Sequence, residues 1–228
     1  VDFAMDHYLL QSFDELFAAK GLVLLSWAEV GWTSVYGSAP IHTPSQAHGL
    51  KLRSSNALAS QVFVRSIGAD MVPLTFADIM PSLQTGLIQG GESGAIFYAL
   101  TGLPGEAPYL TLTRHAFDTG MYLANREWFE DLPLESRKHL RSSLMPSAEF
   151  RLLVRNYEQA ILQSPERYEI NLYQPTADQL QQWKQATAAN RAALIDQIGG
   201  ESHQITERVE AAKAAFREQT GTLASAGL

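Results

Sequence analysis

The sequence of 228 residues contains no cysteine, which excludes disulfide bonds, thiolate catalysis and thiolate zinc sites. Positive charge is also scarce, and the net charge of −7 argues against a nucleic-acid partner, because such a partner requires a basic surface. No apolar run approaches the roughly 18–20 residues that a membrane-spanning helix needs. Neither glycine-rich phosphate fingerprint is present, and the six histidines lack metal-ligand spacing. The sequence therefore predicts neither a cofactor nor a metal site.

The remaining composition is that of an ordinary globular protein. Hydrophobic residues make up 46% and charged residues 18%, so a sizeable core is possible in one large domain or two small lobes. The chain begins at Val1 and shows no signal-peptide pattern. We interpret it as a processed product with its signal peptide removed, a recombinant form or a fragment.

Strand and helix patterns alternate over residues 22–125, which predicts a parallel sheet with crossover helices. Beyond residue 133 the pattern is almost entirely helical, and residues 135–162 are predicted as one long helix that contains Pro146. Ligands of such sheets bind at the carboxyl ends of the strands. These ends are therefore the first place to look for a site. The predicted strands cover residues 22–27, 50–53, 71–74, 109–113 and 121–124.

Arg53 ends the second predicted strand, within the segment GLKLRSSN of residues 49–56. A guanidinium is costly to bury without an anionic partner. One interpretation is a clamp for a ligand carboxylate, with Asn56 adding an amide donor near a helix that Ser55 or Asn56 caps. The alternative is a salt bridge to a neighbouring Asp or Glu. The spacing leaves both interpretations open.

The segment GGESGA of residues 90–95 also has two interpretations. It nearly fits the nucleophile elbow G-x-S-x-G, which would make Ser93 an acyl-transfer nucleophile. A triad would then need a later Asp and His in that order. Four aspartates precede His203, and nothing local marks any of them: Asp118, Asp131, Asp178 and Asp196. The alternative is a glycine turn that allows tight backbone packing.

Aromatic residues cluster near the predicted strand ends and turns. Most are expected in the core, but one or two can form a wall of a pocket, because ligand sites are commonly lined by aromatic side chains with a few polar anchors. These residues are Trp27, Trp32, Tyr36, Phe76 and Phe97.

Four segments follow one another along the chain: GLKLR, VPLTFADIMPSLQTGLIQGGES, YLTLTRH and REWFEDLP. Together they resemble the solute-binding proteins of TRAP (tripartite ATP-independent periplasmic) transporters. That family shows a G-L-K-[IL]-R strand, a P-[LM]-x-F helix start, a D-G-x-E-N turn, a Y-[LV]-x-x-T-x-H segment and a W-[FWY]-x-x-L-P helix start. The match extends from about Leu22 to Pro133, and its specificity comes from the order and spacing of the pieces.

The resemblance implies a fold and a site. The implied fold is α/β: a periplasmic-binding-protein-like, two-lobed clamshell with parallel-rich sheets and a helical C-terminal region that includes a long lobe-spanning helix. In the family the arginine of G-L-K-[IL]-R pairs with the ligand carboxylate. In this chain that arginine corresponds to Arg53. The matching positions for further ligand contacts are Asn56, Phe76 and Glu92.

The chain also departs from the family pattern. Ser93 replaces the asparagine that often contacts ligand, and Gln89 replaces the aspartate before the glycine. A second arginine of many members would fall near Thr33, but Trp32 and Thr33 are both uncharged. We keep Ser93, Trp32 and Thr33 as candidate ligand contacts. A less polar monocarboxylate is then as consistent with the pattern as a dicarboxylate.

Family members are longer, which predicts that much of the first lobe is absent. Residues 1–30 would be the remnant of that lobe, residues 31–118 the second α/β lobe with the anion clamp, and residues 119–228 the return to the first lobe plus the C-terminal helices. Such a chain could exist as an unliganded remnant, or could complete itself as a dimer.

Three functional hypotheses follow. The first is a periplasmic receptor, not an enzyme, that binds a small organic acid and delivers it to a sodium-coupled TRAP permease; the resemblance alone implies the delivery step. The second is a serine hydrolase that uses Ser93. The third is an interaction module without ligand binding, which predicts that Arg53 is paired internally, for example with Glu92 or Asp78.

Overall fold

The computed structural model describes the backbone of residues 1–225 and the side chains of residues 1–220. The region predicted as residues 119–228 therefore ends three residues beyond the described backbone. The strands are β1 (Leu22–Gly37), β2 (Lys51–Ser54), β3 (Asp70–Pro73), β4 (Gly90–Gly94), β5 (Tyr109–Asn125) and β6 (Asn171–Tyr173). The helices are α1 (Asp2–Ala4), α2 (Leu10–Ala19), α3 (Leu58–Ser66), α4 (Ile79–Gln84), α5 (Ala95–Leu100), α6 (Arg126–Asp131), α7 (Leu134–Ser143), α8 (Ser147–Gln163), α9 (Ala177–Ile198) and α10 (Ser202–Ser225).

The six strands form one sheet in the order β3-β2-β4-β1-β5-β6. Strand β2 runs parallel to both β3 and β4, and β5 runs parallel to β6. Strand β4 runs antiparallel to β1, with Thr33 opposite Gly94 and Gly37 opposite Gly90. The sheet is therefore parallel-rich, as predicted, but mixed.

The described chain divides into two compact units. The first comprises residues 1–27, 121–145 and those from Ile195 onward, and the second comprises residues 28–120 and 146–194. Strands β1 and β5 and helix α9 contribute residues to both units. The lobe boundaries expected from the sequence stay a prediction.

The core of the second unit lies on both faces of the sheet. One cluster contains Tyr36 together with side chains of α4, α5 and α8, including Leu83, Tyr98 and Ile161. The other contains Val35 with side chains of α3 and α9, including Phe63 and Trp183. Because successive strand residues point to opposite faces, the neighbours Val35 and Tyr36 belong to different clusters. Both faces are covered, as in other α/β folds.

Aromatic side chains connect the helices of the first unit with one another and with strand β1. The ring of Phe3 lies 5.7 Å from that of Phe216 on α10, and Phe13 of α2 makes an edge contact with Trp27 at 5.2 Å. Arg208 of α10 also donates a hydrogen bond to the hydroxyl of Ser12. The N-terminal helices thus pack on the C-terminal helix of the chain. None of the helices within residues 1–225 is long and apolar enough to cross a membrane.

The single long helix predicted over residues 135–162 is wrong. The structure has α7 ending at Ser143 and α8 beginning at Ser147, with Pro146 at the N-cap in an extended conformation (φ −54°, ψ 136°). Proline has no N–H for the helical ladder, and it disfavours helical geometry in the residue before it. The longer helices of the C-terminal part are α9, over 22 residues, and α10, over 24 residues.

Three local predictions also need correction. Residues 90–94 form strand β4 rather than a glycine turn, and the predicted strands 109–113 and 121–124 are one continuous strand, β5. The N-cap of α3 is Ala57, without a side-chain cap, rather than Ser55 or Asn56. The hydroxyl of Ser55 still accepts a hydrogen bond from the N–H of Ala57 at 3.2 Å, so it stabilises the turn before the helix.

Strand β4 can approach β1 closely because residue 90 is glycine. A Cβ atom at Gly90 would lie 2.2 Å from the carbonyl oxygen of Tyr36 and 2.8 Å from the Cα of Gly37. Both atoms belong to the backbone, so neither can move without shifting the strand.

We expect Gly90→Ala to lower the free energy of unfolding by about 3 kcal/mol, because overpacking against backbone cannot relax by a rotamer change. Urea unfolding at equilibrium measures this loss. Gly105→Ala is the control, since a Cβ at Gly105 meets no atom within 4 Å and its φ is not positive. Equal stabilities for the two variants would contradict the prediction.

Candidate functional site

Arg53 lies near the carboxyl end of β2, where the sequence placed it. Its side chain is half-buried, and its Nε donates a hydrogen bond to the carbonyl oxygen of Leu74 at 3.3 Å. Among the residues whose side chains are described, no carboxylate forms an ion pair with Arg53. The pairing with Glu92 or Asp78 that the interaction-module hypothesis predicts is therefore not found; Asp78 instead accepts a hydrogen bond from Thr75 at 2.5 Å.

A row of three residues crosses the sheet at Arg53. Arg53 lies opposite Gly91 in the pairing of β2 with β4, and Gly91 lies opposite Tyr36 in the pairing of β4 with β1. Residues in register share a face of the sheet. A Cβ built on Gly91 would lie 2.8 Å from the hydroxyl oxygen of Tyr36 and 3.1 Å from the Cβ of Arg53. The hydroxyl of Tyr36 thus lies over Gly91, on the same face of the sheet as the side chain of Arg53.

Glu92 follows Gly91 in the strand, so its side chain belongs to the opposite face. It is buried, with 9% of its surface exposed. The hydroxyl of Ser60 on α3 donates a hydrogen bond to Oε1 of Glu92, and Nε2 of His115 lies 2.8 Å from Oε2. Both carboxylate oxygens therefore already have partners, and a ligand would have to share or replace one of them.

His115 is held from three sides. Its Nδ1 lies 2.8 Å from the hydroxyl of Thr113, its Nε2 contacts Glu92, and its ring stacks on Phe63 at 3.5 Å between centroids and 5° between planes. The sequence reasoning did not identify His115 as a site residue. The available signal was its place at the end of the YLTLTRH segment.

The electrostatics of Glu92 are dominated by opposing effects. Burial of the carboxyl group by itself raises its pKa, but the hydrogen bond and charge of His115, the hydroxyl of Ser60 and the charge of Arg53 lower the pKa below its ordinary value. Glu92 is therefore ionised at neutral pH. Arg53 acts on it electrostatically although the two side chains start from opposite faces of the sheet.

The aromatic candidates lie in two different places. Phe76, in the turn after β3, is 46% exposed and makes an edge contact with Phe97 of α5 at 4.3 Å between centroids. Trp32 on β1 is half-buried and makes an edge contact with Phe117 of β5 at 5.0 Å. An exposed aromatic pair such as Phe76 and Phe97 can form an apolar wall for a ligand.

The remaining candidates differ in how tightly they are held. Thr33 is buried, and its hydroxyl donates a hydrogen bond to Asp118 at 2.7 Å. Asn56 is exposed in the segment between β2 and α3. The hydroxyl of Ser93 donates to the carbonyl oxygen of Gly94 at 3.3 Å, and within the described side chains no histidine or carboxylate hydrogen-bonds to it. An activated serine needs such a base within reach.

The structure thus brings Arg53, Gly91 and Tyr36 together on one face, and Glu92, Ser60 and His115 on the other. Which candidate residues contact a ligand stays a prediction. Over the part of the chain that the structure describes, no group of three His, Asp or Glu side chains is placed to hold a metal ion.

Comparison with protein families gives one match that covers most of the chain. Residues 4–197 match the model of the bacterial extracellular solute-binding proteins, family 7. The matched range includes both halves of the site, from Tyr36 to His115.

Two curated relatives illustrate the sequence similarity. The 2,3-diketo-L-gulonate-binding periplasmic protein YiaO of Escherichia coli strain K12 is 30% identical over 151 residues, which cover 63% of this chain and 44% of the relative. The ectoine-binding periplasmic protein TeaA of Halomonas elongata is 31% identical over 129 residues, which cover 56% of this chain and 38% of the relative. The chain therefore spans less than half the length of these relatives.

Solved structures resemble the chain more extensively. The periplasmic ectoine-binding protein of the TeaABC TRAP transporter of Halomonas elongata aligns with a TM-score of 0.84 at 22% identity, covering 93% of this chain and 71% of that one. A TRAP periplasmic solute-binding protein of Chromohalobacter salexigens with bound D-glucuronate aligns with a TM-score of 0.82 at 24% identity, covering 91% and 69%. A sugar-acid-binding protein of Advenella mimigardefordensis in complex with galactonate gives 0.85 at 22% identity, covering 94% and 69%. These likenesses show a shared fold.

We expect the stability that Glu92 confers to depend on pH. Because its pKa is lowered in the folded state, its contribution is fully present above the pKa of an unfolded glutamate, about 4.3, and is lost as the pH falls through the lower folded pKa. Glu92→Gln should therefore be less stable than the unmodified protein by about 3 kcal/mol at pH 6, and this gap should narrow toward pH 3.

Urea unfolding between pH 6 and pH 3 measures the gap. The control is Glu166→Gln, because Glu166 is exposed, and this variant should follow the unmodified protein at every pH. A constant gap for Glu92→Gln would contradict the prediction.

We expect a fluorophosphonate probe to leave Ser93 unlabelled. Its hydroxyl donates to a backbone carbonyl and has no base beside it, so it is no more nucleophilic than an ordinary serine. Intact-mass spectrometry after incubation with the probe gives the result, and Ser93→Ala serves as the background control. Stoichiometric labelling that disappears in Ser93→Ala would establish the hydrolase hypothesis instead.

Proposed function

The chain belongs to family 7 of the bacterial extracellular solute-binding proteins, and from this membership we propose that it binds an organic acid through Arg53 in the periplasm. The bound acid is then delivered to a TRAP-type membrane permease. The relatives described above are named as periplasmic proteins, which supports this location.

The comparisons confirm three predictions from the sequence. The resemblance to TRAP solute-binding proteins is confirmed by the family model and by the named relatives. The periplasmic-binding-protein-like α/β fold class is confirmed by the structural likeness. A family of solute-binding proteins also confirms the prediction of a non-enzymatic function.

The observation that carries the proposal is the unpaired guanidinium of Arg53. One of its nitrogens, Nε, is held by the carbonyl oxygen of Leu74, which orients the planar group. Its outer edge has no anionic partner among the described side chains. A half-buried guanidinium is stabilised when a carboxylate accepts two parallel hydrogen bonds from it. A ligand carboxylate would supply that partner.

The number of carboxylates on the acids named with the relatives supports the class of acid. D-Glucuronate and galactonate are bound in two of the similar structures, and 2,3-diketo-L-gulonate appears in the name of one relative. Each of these acids carries a single carboxylate. Arg53 is the one arginine among the candidate ligand contacts, which suits a monocarboxylate, and the uncharged Trp32 and Thr33 offer no second cationic partner. The exposed pair of Phe76 and Phe97 would contact the less polar face of the ligand.

Delivery to a permease and dimer formation are further parts of the proposal. The solved ectoine-binding protein belongs to the TeaABC TRAP transporter, which supports a membrane permease as the partner of this chain. Dimer formation stays a prediction. Sedimentation equilibrium with and without acid measures the stoichiometry.

We expect an acid that binds at Arg53 to raise the melting temperature. At a concentration of about 100 times the Kd, linkage adds about 2.7 kcal/mol of stability, or roughly 5–10 °C for a protein of this size. The panel is D-glucuronate, D-galactonate, 2,3-diketo-L-gulonate and succinate. Removing a charge-assisted bidentate contact should weaken binding about 10- to 100-fold, so Arg53→Ala should show little or no shift.

The matched control is Arg65→Ala, which removes an exposed arginine from the end of α3 in the same unit. It should respond to acids as the unmodified protein does. Equal shifts for Arg53→Ala and Arg65→Ala would show that binding does not use Arg53. No shift with any acid would contradict the receptor function itself.

A further inference from the structure

The hydroxyl of Tyr36 is buried and has no hydrogen-bond partner among the described residues. The side chain of Tyr36 is only 1% exposed. A buried polar group without a partner costs free energy, and native structures rarely leave one without a reason. The hydroxyl therefore calls for an acceptor that the described side chains and backbone do not provide.

A neighbouring tyrosine, Tyr98, shows that the missing hydrogen-bond partner is specific to Tyr36. The ring of Tyr98 on α5 lies 5.3 Å from that of Tyr36 in the same core cluster, and its hydroxyl donates to the carbonyl oxygen of Ala107 at 2.5 Å. Both rings contribute to packing, but only one hydroxyl has an internal partner. The pair forms a natural comparison within the chain.

The position of the Tyr36 hydroxyl is set by Gly91. A Cβ on Gly91 would lie 2.8 Å from this oxygen and 3.1 Å from the Cβ of Arg53, so both side chains flank Gly91 on the same face of the sheet. Tyr36, whose hydroxyl lacks an acceptor, and Arg53, whose guanidinium lacks an anionic partner among the described side chains, therefore stand in one row of the sheet. Glycine is the residue that leaves the space between them open.

The phenol keeps its proton and is available as a hydrogen-bond donor here. Burial raises the pKa of Tyr36 above its ordinary value, and the opposing charge of Arg53 does not cancel that effect. The hydroxyl therefore stays protonated at neutral pH and beside a bound anion. A carboxylate oxygen is an acceptor that would satisfy both groups.

We propose that the hydroxyl of Tyr36 donates the inner hydrogen bond to the carboxylate that Arg53 binds. The half-buried guanidinium takes the anion from the exposed side, and the phenol fixes the oxygen that reaches the row at Gly91. This makes Tyr36 a binding residue that acts together with Arg53, and it rests on the proposed function.

The test compares Tyr36→Phe with Tyr98→Phe by two measurements on the full chain. Isothermal titration with D-glucuronate, D-galactonate and 2,3-diketo-L-gulonate gives the affinities, and urea unfolding without acid gives the stabilities. Tyr36→Phe should bind about 5- to 20-fold more weakly, as expected for one hydrogen bond to a charged group, with no loss of stability. Tyr98→Phe should bind normally and be less stable, because the carbonyl of Ala107 loses its donor.

Two results would overturn the inference. The first is an unchanged affinity for Tyr36→Phe. The second is a loss of stability without acid as large as that of Tyr98→Phe, which would reveal an internal partner for the hydroxyl. If Arg53→Ala loses binding while Tyr36→Phe keeps it, the proposed function stands and this inference fails. If no acid of the three binds to the unmodified protein, both fail.

Discussion

The close approach of β4 to its neighbours at Gly90 and Gly91 is the constraint on which the site depends. At Gly90 a side chain would collide with the backbone of β1, and at Gly91 it would collide with Tyr36 and Arg53. With both positions open, β4 fits between β1 and β2, and the groups on either side of it come into one row. The same strand then places Glu92 on the opposite face.

The two faces of the sheet around β4 carry charged side chains that differ in their hydrogen-bond and ionic partners. On one face Glu92 is buried, ionised and fully hydrogen-bonded by Ser60 and His115, so that it ties the strand to its surroundings. On the other, Arg53 is oriented by a backbone carbonyl but lacks a counter-ion. A satisfied buried charge contributes to the fold, whereas an unsatisfied one has electrostatic energy still to gain from a ligand. The proposed ligand contact at Arg53 and the hydrogen-bonded Glu92 thus lie on different faces of the sheet.

Sequence reasoning succeeded where chemistry is local. The position of Arg53 at a strand end followed from the run Gly49–Arg53, and the family resemblance followed from the order of short motifs. It failed where the outcome depends on long-range pairing. The segment of Gly90–Gly94 looks like a turn from its glycines alone, yet it is a strand because two neighbouring strands supply its hydrogen bonds. Pro146, in contrast, was a local signal of a helix boundary, and the prediction of one long helix disregarded it.

The sequence by itself determined the α/β class, the absence of thiol chemistry and the presence of one arginine at a strand end. Only the tertiary structure decided that Glu92 pairs with His115 and that the hydroxyl of Tyr36 lies beside Arg53 without a partner. The physical reason is register. Glu92 and His115 stand 23 positions apart in the chain, and whether two side chains share a face depends on a pairing that a shift of one residue would reverse.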